Sequence, residues 1–115
     1  MDEISPLVPT KVIELRGSQA SRWTVDPSRL GFGGIDAADL AGGEPAENAR
    51  IIERVLLGKG PRGAEAAVLL NAAAAIYVGG AADSLAEALA TARAALAAGK
   101  GWDALGRLRR ASAVN

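Results

Sequence analysis

The run from Pro61 to Gly80 constrains this chain more than any other stretch: Pro-Arg-Gly-Ala-Glu-Ala-Ala-Val-Leu-Leu-Asn-Ala-Ala-Ala-Ala-Ile-Tyr-Val-Gly-Gly. Between Ala64 and Val78 the only polar groups are Glu65, Asn71 and the Tyr77 hydroxyl. Alanine is the best helix former and leucine follows closely. Pro61 and Gly63 bracket the start, and Gly79-Gly80 stop the run. At about 1.5 Å per residue the helix is roughly 22 Å long. It is apolar on nearly every side, so it is expected to be buried and to serve as the central helix. It is too short and too alanine-rich for a membrane span.

A chain of 115 residues is one domain with a modest core. Its 26 alanines, 22 of them from Ala46 onward, supply much of the apolar content. Each buries little area, so the core gains less than the composition suggests. The formal net charge is zero, which argues against a nucleic-acid partner found by bulk electrostatics. There is no cysteine and no histidine, so thiolate chemistry and the commonest general base are excluded. No signal peptide or membrane span is visible, and the cytoplasm is the expected location.

Taken in order, residues 10–26 read as a β-hairpin. Val12-Ile13-Glu14-Leu15 and Arg22-Trp23-Thr24-Val25 are rich in β-branched and apolar residues. Ile13 and Leu15 share one face, as do Trp23 and Val25. Gly17-Ser18 is the turn, in a loop of two residues or more. Two strands alone are marginal, so the ribbon needs more sheet or a helix beneath it. Asp26-Pro27 ends the second strand. Gly31-x-Gly33-Gly34 reads as a plain loop, because no helix follows at the spacing a phosphate loop needs. Asp36 opens a short helical turn reaching Leu40. Pro45 to Leu57 is a helix with Ile51, Ile52, Val55 and Leu56 on one stripe. Leu85 to Ala98 is another, opened by a Ser84/Glu87 capping box and stopped by Gly99. Trp102, Leu105 and Leu108 suggest a short final helix that frays from Ala111. The fold class is α+β, an N-terminal hairpin followed by three to four helices at about 45–57, 62–78, 84–98 and 102–111.

Four stretches carry a resemblance. Leu69-Leu70-Asn71-Ala72-Ala73-Ala74-Ala75-Ile76-Tyr77 is similar to the late helix of the anthranilate phosphoribosyltransferases. Met1-Asp2-Glu3-Ile4-Ser5-Pro6, Gly42-Gly43-Glu44-Pro45-Ala46-Glu47-Asn48-Ala49 and Asp83-Ser84-Leu85-Ala86-Glu87 point the same way, in the family's order. The resemblance covers nearly the whole chain but only the C-terminal part of that family's longer sequences. It implies a fragment whose hairpin and helices complete the α/β domain shared by phosphoribosyltransferases and nucleoside phosphorylases. It also implies a glycosyltransferase that moves phosphoribose from phosphoribosyl diphosphate to anthranilate in tryptophan biosynthesis. The family is usually homodimeric through an N-terminal helical domain with no counterpart in these residues.

Asp2-Glu3 is the most chemical-looking pair. Adjacent carboxylates are hard ligands suited to a Mg²⁺ that keeps waters and bridges substrate phosphates. In the family an Asp-Glu pair in this context helps hold Mg²⁺ near the diphosphate, so the resemblance assigns metal binding to Asp2 and Glu3. The family's glycine-rich phosphate loops and most of its anthranilate site lie in segments without counterparts here, so these residues alone are expected to be inactive. Asn71 reads as a structural amide bonded to a nearby loop backbone, since a buried amide without partners costs about 1–3 kcal/mol. Glu47 and Asn48 fit helix-start chemistry. Arg107, Arg109 and Arg110 fit a solvated helix end. The alternative to an enzyme part is a non-enzymatic helical packing module, or one that complements a separate chain.

Overall fold

Val12-Ile13-Glu14-Leu15 and Arg22-Trp23-Thr24-Val25 fold back on one another across Gly17-Ser18. In the computed structural model, which describes residues 2–113, strand β1 spans Thr10–Arg16 and β2 spans Gln19–Val25. They pair antiparallel with Thr10 opposite Val25, Val12 opposite Trp23 and Arg16 opposite Gln19, which leaves a two-residue loop. Gly17 takes its first position at φ 59°, as a glycine-first hairpin loop requires. Among the described residues no third strand joins this sheet.

The register decides which face of each strand turns inward. Val12, Glu14, Trp23 and Val25 share the inner face, and Val25 is buried. Ile13 and Leu15 do share a face, but it is the outer one, where they are 66% and 72% exposed. The inner face rests on helices, which supplies the support that two strands need.

After β2, Asp26 caps a 3₁₀ turn at Pro27–Leu30 and Asp36 caps another at Ala37–Leu40, each carboxylate accepting from a backbone N–H two residues on. Helix α1 follows at Pro45–Leu56, α2 at Arg62–Val78, α3 at Leu85–Ala97 and α4 at Lys100–Ser112. At the α3 start, Ser84 Oγ accepts from the Glu87 N–H at 3.2 Å. The Glu87 carboxylate accepts from the Asp83 N–H at 3.0 Å, one residue before the N–H that a capping box uses. Gly99, at φ 73°, ends α3 and leads directly into α4, so the last helix begins earlier and is longer than Trp102, Leu105 and Leu108 imply. Helical structure continues through Ala111 and Ser112, where fraying was expected. Met1 of the opening motif and residues 114–115 lie outside the described residues.

The core is one cluster: Val25 and Phe32 from the N-terminal half, Ala66, Leu69, Leu70 and Ala73 from α2, and Ala88, Leu89 and Ala92 from α3. Helix α2 is central, but it is not buried all round. Val68 is 43% exposed and Val78 84% exposed. An apolar helix needs a partner on each side to be enclosed; among the described residues α2 has them toward the hairpin, the segment at Ile4, the loop at Phe32, α3, α1 and the turn at residues 37–40, and not around Val68 and Val78. That turn sits so close that a Cβ on Gly63 would lie 2.6 Å from the Asp39 Cβ and 3.0 Å from the Ile35 Cγ2. Glycine is the residue that permits the approach.

Candidate functional site

The stretch before β1 has no regular structure, yet it is tied down. Asn71, midway along α2, grips Ile4 from both sides. Its Oδ1 accepts from the Ile4 N–H at 2.9 Å, and its Nδ2 donates to the Ile4 carbonyl at 3.1 Å and to the Ala67 carbonyl at 2.9 Å. Ser5 is buried; its Oγ accepts from the Leu7 and Val8 N–H groups, and its own N–H donates to Thr10 Oγ1 at 3.2 Å. Pro6 is fully enclosed. The residues from Ile4 to Thr10 are therefore fixed to α2 at one end and to β1 at the other.

Asp2 and Glu3 stand immediately before this anchor, both exposed. Neither forms an ion pair among the described residues. Nor do the described residues gather three or more His, Cys, Asp or Glu into one metal-binding group. Two adjacent, unengaged carboxylates fit a cation that keeps its waters and shares its ligands with a phosphate, not an all-protein cage.

A second polar centre lies under the hairpin tip. Glu14 Oε1 accepts from Arg16 Nε at 2.6 Å and from the Tyr77 hydroxyl at 2.8 Å, and its Oε2 accepts from the Trp23 indole N–H at 2.9 Å. Arg16 also donates to the Tyr77 oxygen at 2.5 Å and lies over the Tyr77 ring, and Trp23 meets that ring edge-on with centroids 6.3 Å apart. The Arg16 hydrogen bond first, and that from Tyr77 next, hold the Glu14 carboxyl below the usual carboxylate range and push Arg16 up in return. Asp26 is likewise lowered, chiefly by the Ser28 hydroxyl. The cluster borders a cavity of about 540 Å³ that reaches Ile4, Val12, Ala74 and Leu85 but not Asp2 or Glu3. Sequence reasoning missed this centre. The sequence places Glu14 on the same face as Val12, but nothing within the strand says that this face turns inward.

Asn48 Oδ1 accepts from the Gly43 N–H and its Nδ2 donates to the Gly43 carbonyl, both at 2.8 Å. Glu47 sits in the first turn of α1, where a negative charge suits the helix dipole. The Gly31–Gly34 stretch is a loop held by Arg62, which donates to the Gly33 carbonyl at 2.9 Å, and by Arg93, which lies over the Phe32 ring. Arg109 pairs with Glu53 and lies 5.8 Å from the Trp102 ring centroid, tying α4 to α1. No helix among the described residues is long and apolar enough to cross a membrane.

The family model described as glycosyl transferase family, a/b domain, matches residues 1–102. The anthranilate phosphoribosyltransferase of Thermomicrobium roseum is 46% identical over 113 residues, which is 95% of this chain and 32% of that protein. The enzyme of the same name from Anaeromyxobacter sp. is 42% identical over 116 residues, covering 99% of this chain and 34% of that one. The crystal structure of the Thermus thermophilus enzyme superposes with a TM-score of 0.76 at 34% identity, over 88% of this chain and 30% of that chain. The Saccharomyces cerevisiae enzyme, solved in complex with 4-fluoroanthranilate, gives 0.76 at 26% identity, over 92% of this chain and 31% of that chain. The chain thus spans about a third of the length of the curated relatives it matches.

Proposed function

The chain belongs to the glycosyl transferase family whose a/b domain it matches, and from that premise we propose that it contributes the metal-binding carboxylates of a phosphoribosyl transfer to anthranilate, a step of tryptophan biosynthesis in the cytoplasm. The observation that carries the reading is the pair Asp2-Glu3, exposed and unpaired among the described residues, immediately before a backbone anchored at Ile4. Its relatives' common name supplies the acceptor.

In this reading Asp2 and Glu3 are the protein ligands of Mg²⁺. When bound, the ion would neutralise charge on the diphosphate of phosphoribosyl diphosphate as that group leaves. The anchored turn keeps the two carboxylates on the surface, where the reading would have them meet a substrate held by the rest of a relative's fold. Helix α2 is the platform that carries the anchor.

Two carboxylates do not make a diphosphate pocket or a place for the amine nucleophile. We therefore expect no turnover from these 115 residues alone when they are assayed with anthranilate, phosphoribosyl diphosphate and Mg²⁺. Turnover above background would overturn that expectation. The ligand assignment is tested where the remaining two-thirds of a relative is supplied. There, Asp2→Asn with Glu3→Gln is expected to lower Mg²⁺-dependent turnover and leave the melting midpoint unchanged. Full activity in the double variant would leave the pair as ordinary solvated carboxylates.

One observation favours a second reading, a packing module without a catalytic part. Ile13 and Leu15 are largely exposed on the outer face of the hairpin, which is where a further element would sit. The same double variant separates the two, because a module that only packs is indifferent to losing the carboxylates.

A further inference from the structure

We infer that Asn71 is a positioning residue for Asp2 and Glu3, an inference that rests on the metal-ligand reading of that pair. The bracket on Ile4 takes hold of two successive peptide groups. The Ile4 N–H belongs to the Glu3–Ile4 peptide, and the Ile4 carbonyl belongs to the Ile4–Ser5 peptide. A peptide group is planar and includes the α-carbon on each side. Fixing the Ile4 N–H therefore fixes the plane that contains the Glu3 Cα, about 3.8 Å from the Ile4 Cα. Asp2 is one peptide farther out and keeps two more free dihedrals.

Asn71 can do this because it is itself immobilised. It sits between Leu70, fully buried, and Ala72 in the middle of α2, and its third hydrogen bond, to the Ala67 carbonyl one turn back, sets the orientation of the amide. An aliphatic side chain at this position would fill the space but release Ile4. The bonds from Ser5 to Thr10 and from Leu7 and Val8 to Ser5 restrain the chain after Ile4 but not before it. The Asn71 bracket is the connection, among the described residues, that reaches toward the carboxylates. It sets where Glu3 begins, and it supplies Glu3 with more order than Asp2.

The test uses the 115-residue chain labelled for NMR, with Mn²⁺ as a paramagnetic stand-in for Mg²⁺, and compares the parent with Asn71→Ala and Val55→Ala. Val55 is buried on α1, away from the bracket, so its truncation controls for general loss of stability. In Asn71→Ala the Ile4 amide is expected to exchange with solvent roughly tenfold faster, the effect of one lost hydrogen bond. The backbone order parameter should fall at Glu3 more than at Asp2. The Mn²⁺ concentration that broadens the Glu3 signal should rise about threefold, as a loosened oxygen ligand set predicts. Val55→Ala should change none of the three. Asn71→Asp keeps an acceptor for the Ile4 N–H but sets a second oxygen against the Ile4 and Ala67 carbonyls, where the amide donated; it should loosen Glu3 as Asn71→Ala does, and it carries the test if Asn71→Ala does not fold. Unchanged Ile4 exchange and Glu3 order in Asn71→Ala would overturn the inference, as would equal loosening in Val55→Ala. If Mn²⁺ broadens neither Asp2 nor Glu3 in the parent, the two carboxylates hold no ion without a substrate phosphate; the metal reading is then judged by the double variant with the rest of a relative supplied, and the exchange and order measurements still judge the bracket.

Discussion

Two asparagines in this molecule perform the same hydrogen-bonding act in different settings. Asn71 and Asn48 each accept from a backbone N–H and donate to the carbonyl of the same residue, Ile4 in one case and Gly43 in the other. Asn48 reaches five positions back along its own chain to the loop that feeds α1, in bonds exposed to water. Asn71 reaches 67 positions, and its bonds are partly buried. The local bracket orders a loop that has little freedom to lose, and water can replace it. The distant one supplies, among the described residues, the hydrogen bonds that fasten the chain before Ser5, where Ile4 also packs against the core, and water cannot easily take its place. The chemistry of the side chain is the same; sequence separation and solvent access decide what it is worth.

The contrast can be probed from the largest effect down. Leu70→Asp attacks the platform beneath the distant bracket. A carboxylate without a partner at a site 0% exposed should cost more than about 4 kcal/mol, and circular-dichroism melts should show gross loss of structure. A midpoint equal to the parent's would remove α2 from the centre of the fold. Asn71→Ala should cost about 1–3 kcal/mol in urea titrations, because the partly buried Ile4 groups lose their partner. Asn48→Ala should cost about 1 kcal/mol or less, since the Gly43 groups turn to water. If the two asparagines cost the same, burial and separation do not explain the difference. Arg109→Ala, which breaks the Glu53 pair and the contact with Trp102, sets the floor at a fraction of about 1 kcal/mol.

The finest probe is acid. Neither amide titrates, so the brackets themselves should be indifferent to pH. Glu14 does titrate, and its folded pKa lies below the unfolded one because of Arg16 and then Tyr77. A depressed carboxyl contributes stability that is present above the unfolded value, about 4.3, and is lost as pH falls through the folded one. Asp26 acts in the same direction. Melts of Glu14→Gln against the parent should converge as pH is lowered through that range, whereas Asn71→Ala should stay offset throughout. A constant gap for Glu14→Gln would mean that the cluster under the hairpin acts through shape and not charge.

These outcomes bear on what the sequence could reveal. The hairpin, the four helices and the caps at Asp36 and Ser84 were legible, because each is written within a few residues as β-branched runs, alanine content or an oxygen before a helix. The inner face of β1 was not. Ile13 and Leu15 are the more apolar pair, yet the face was chosen by Val12 together with Glu14, whose partners Arg16, Trp23 and Tyr77 come from three separate places in the chain. Helix α2 misled in the other direction: composition made it apolar all round, and only the fold says which sides have neighbours. As for the candidate site, Asp2-Glu3 stood out through resemblance, not through any local pattern. The need of Asn71 for partners could be read from its apolar surroundings. The identity of those partners could not, since no short-range signal links positions 67 apart.

The alanines of the core have a consequence of another kind. Where α2 meets α3, Ala66, Ala73, Ala88 and Ala92 are all enclosed, at 4% exposure or less. A methyl group has no rotamers to freeze, so this seam gives up almost no side-chain entropy when it closes. It also has no slack. Trimming an alanine leaves only a one-carbon hole and costs about 1 kcal/mol, chiefly the backbone freedom of a glycine inside a helix, whereas each added methyl must find room between two helix backbones, at about 1–3 kcal/mol. Most cores are vulnerable to deletion; this seam is vulnerable to crowding. Its history of tolerated change should run along glycine and serine and stop short of valine.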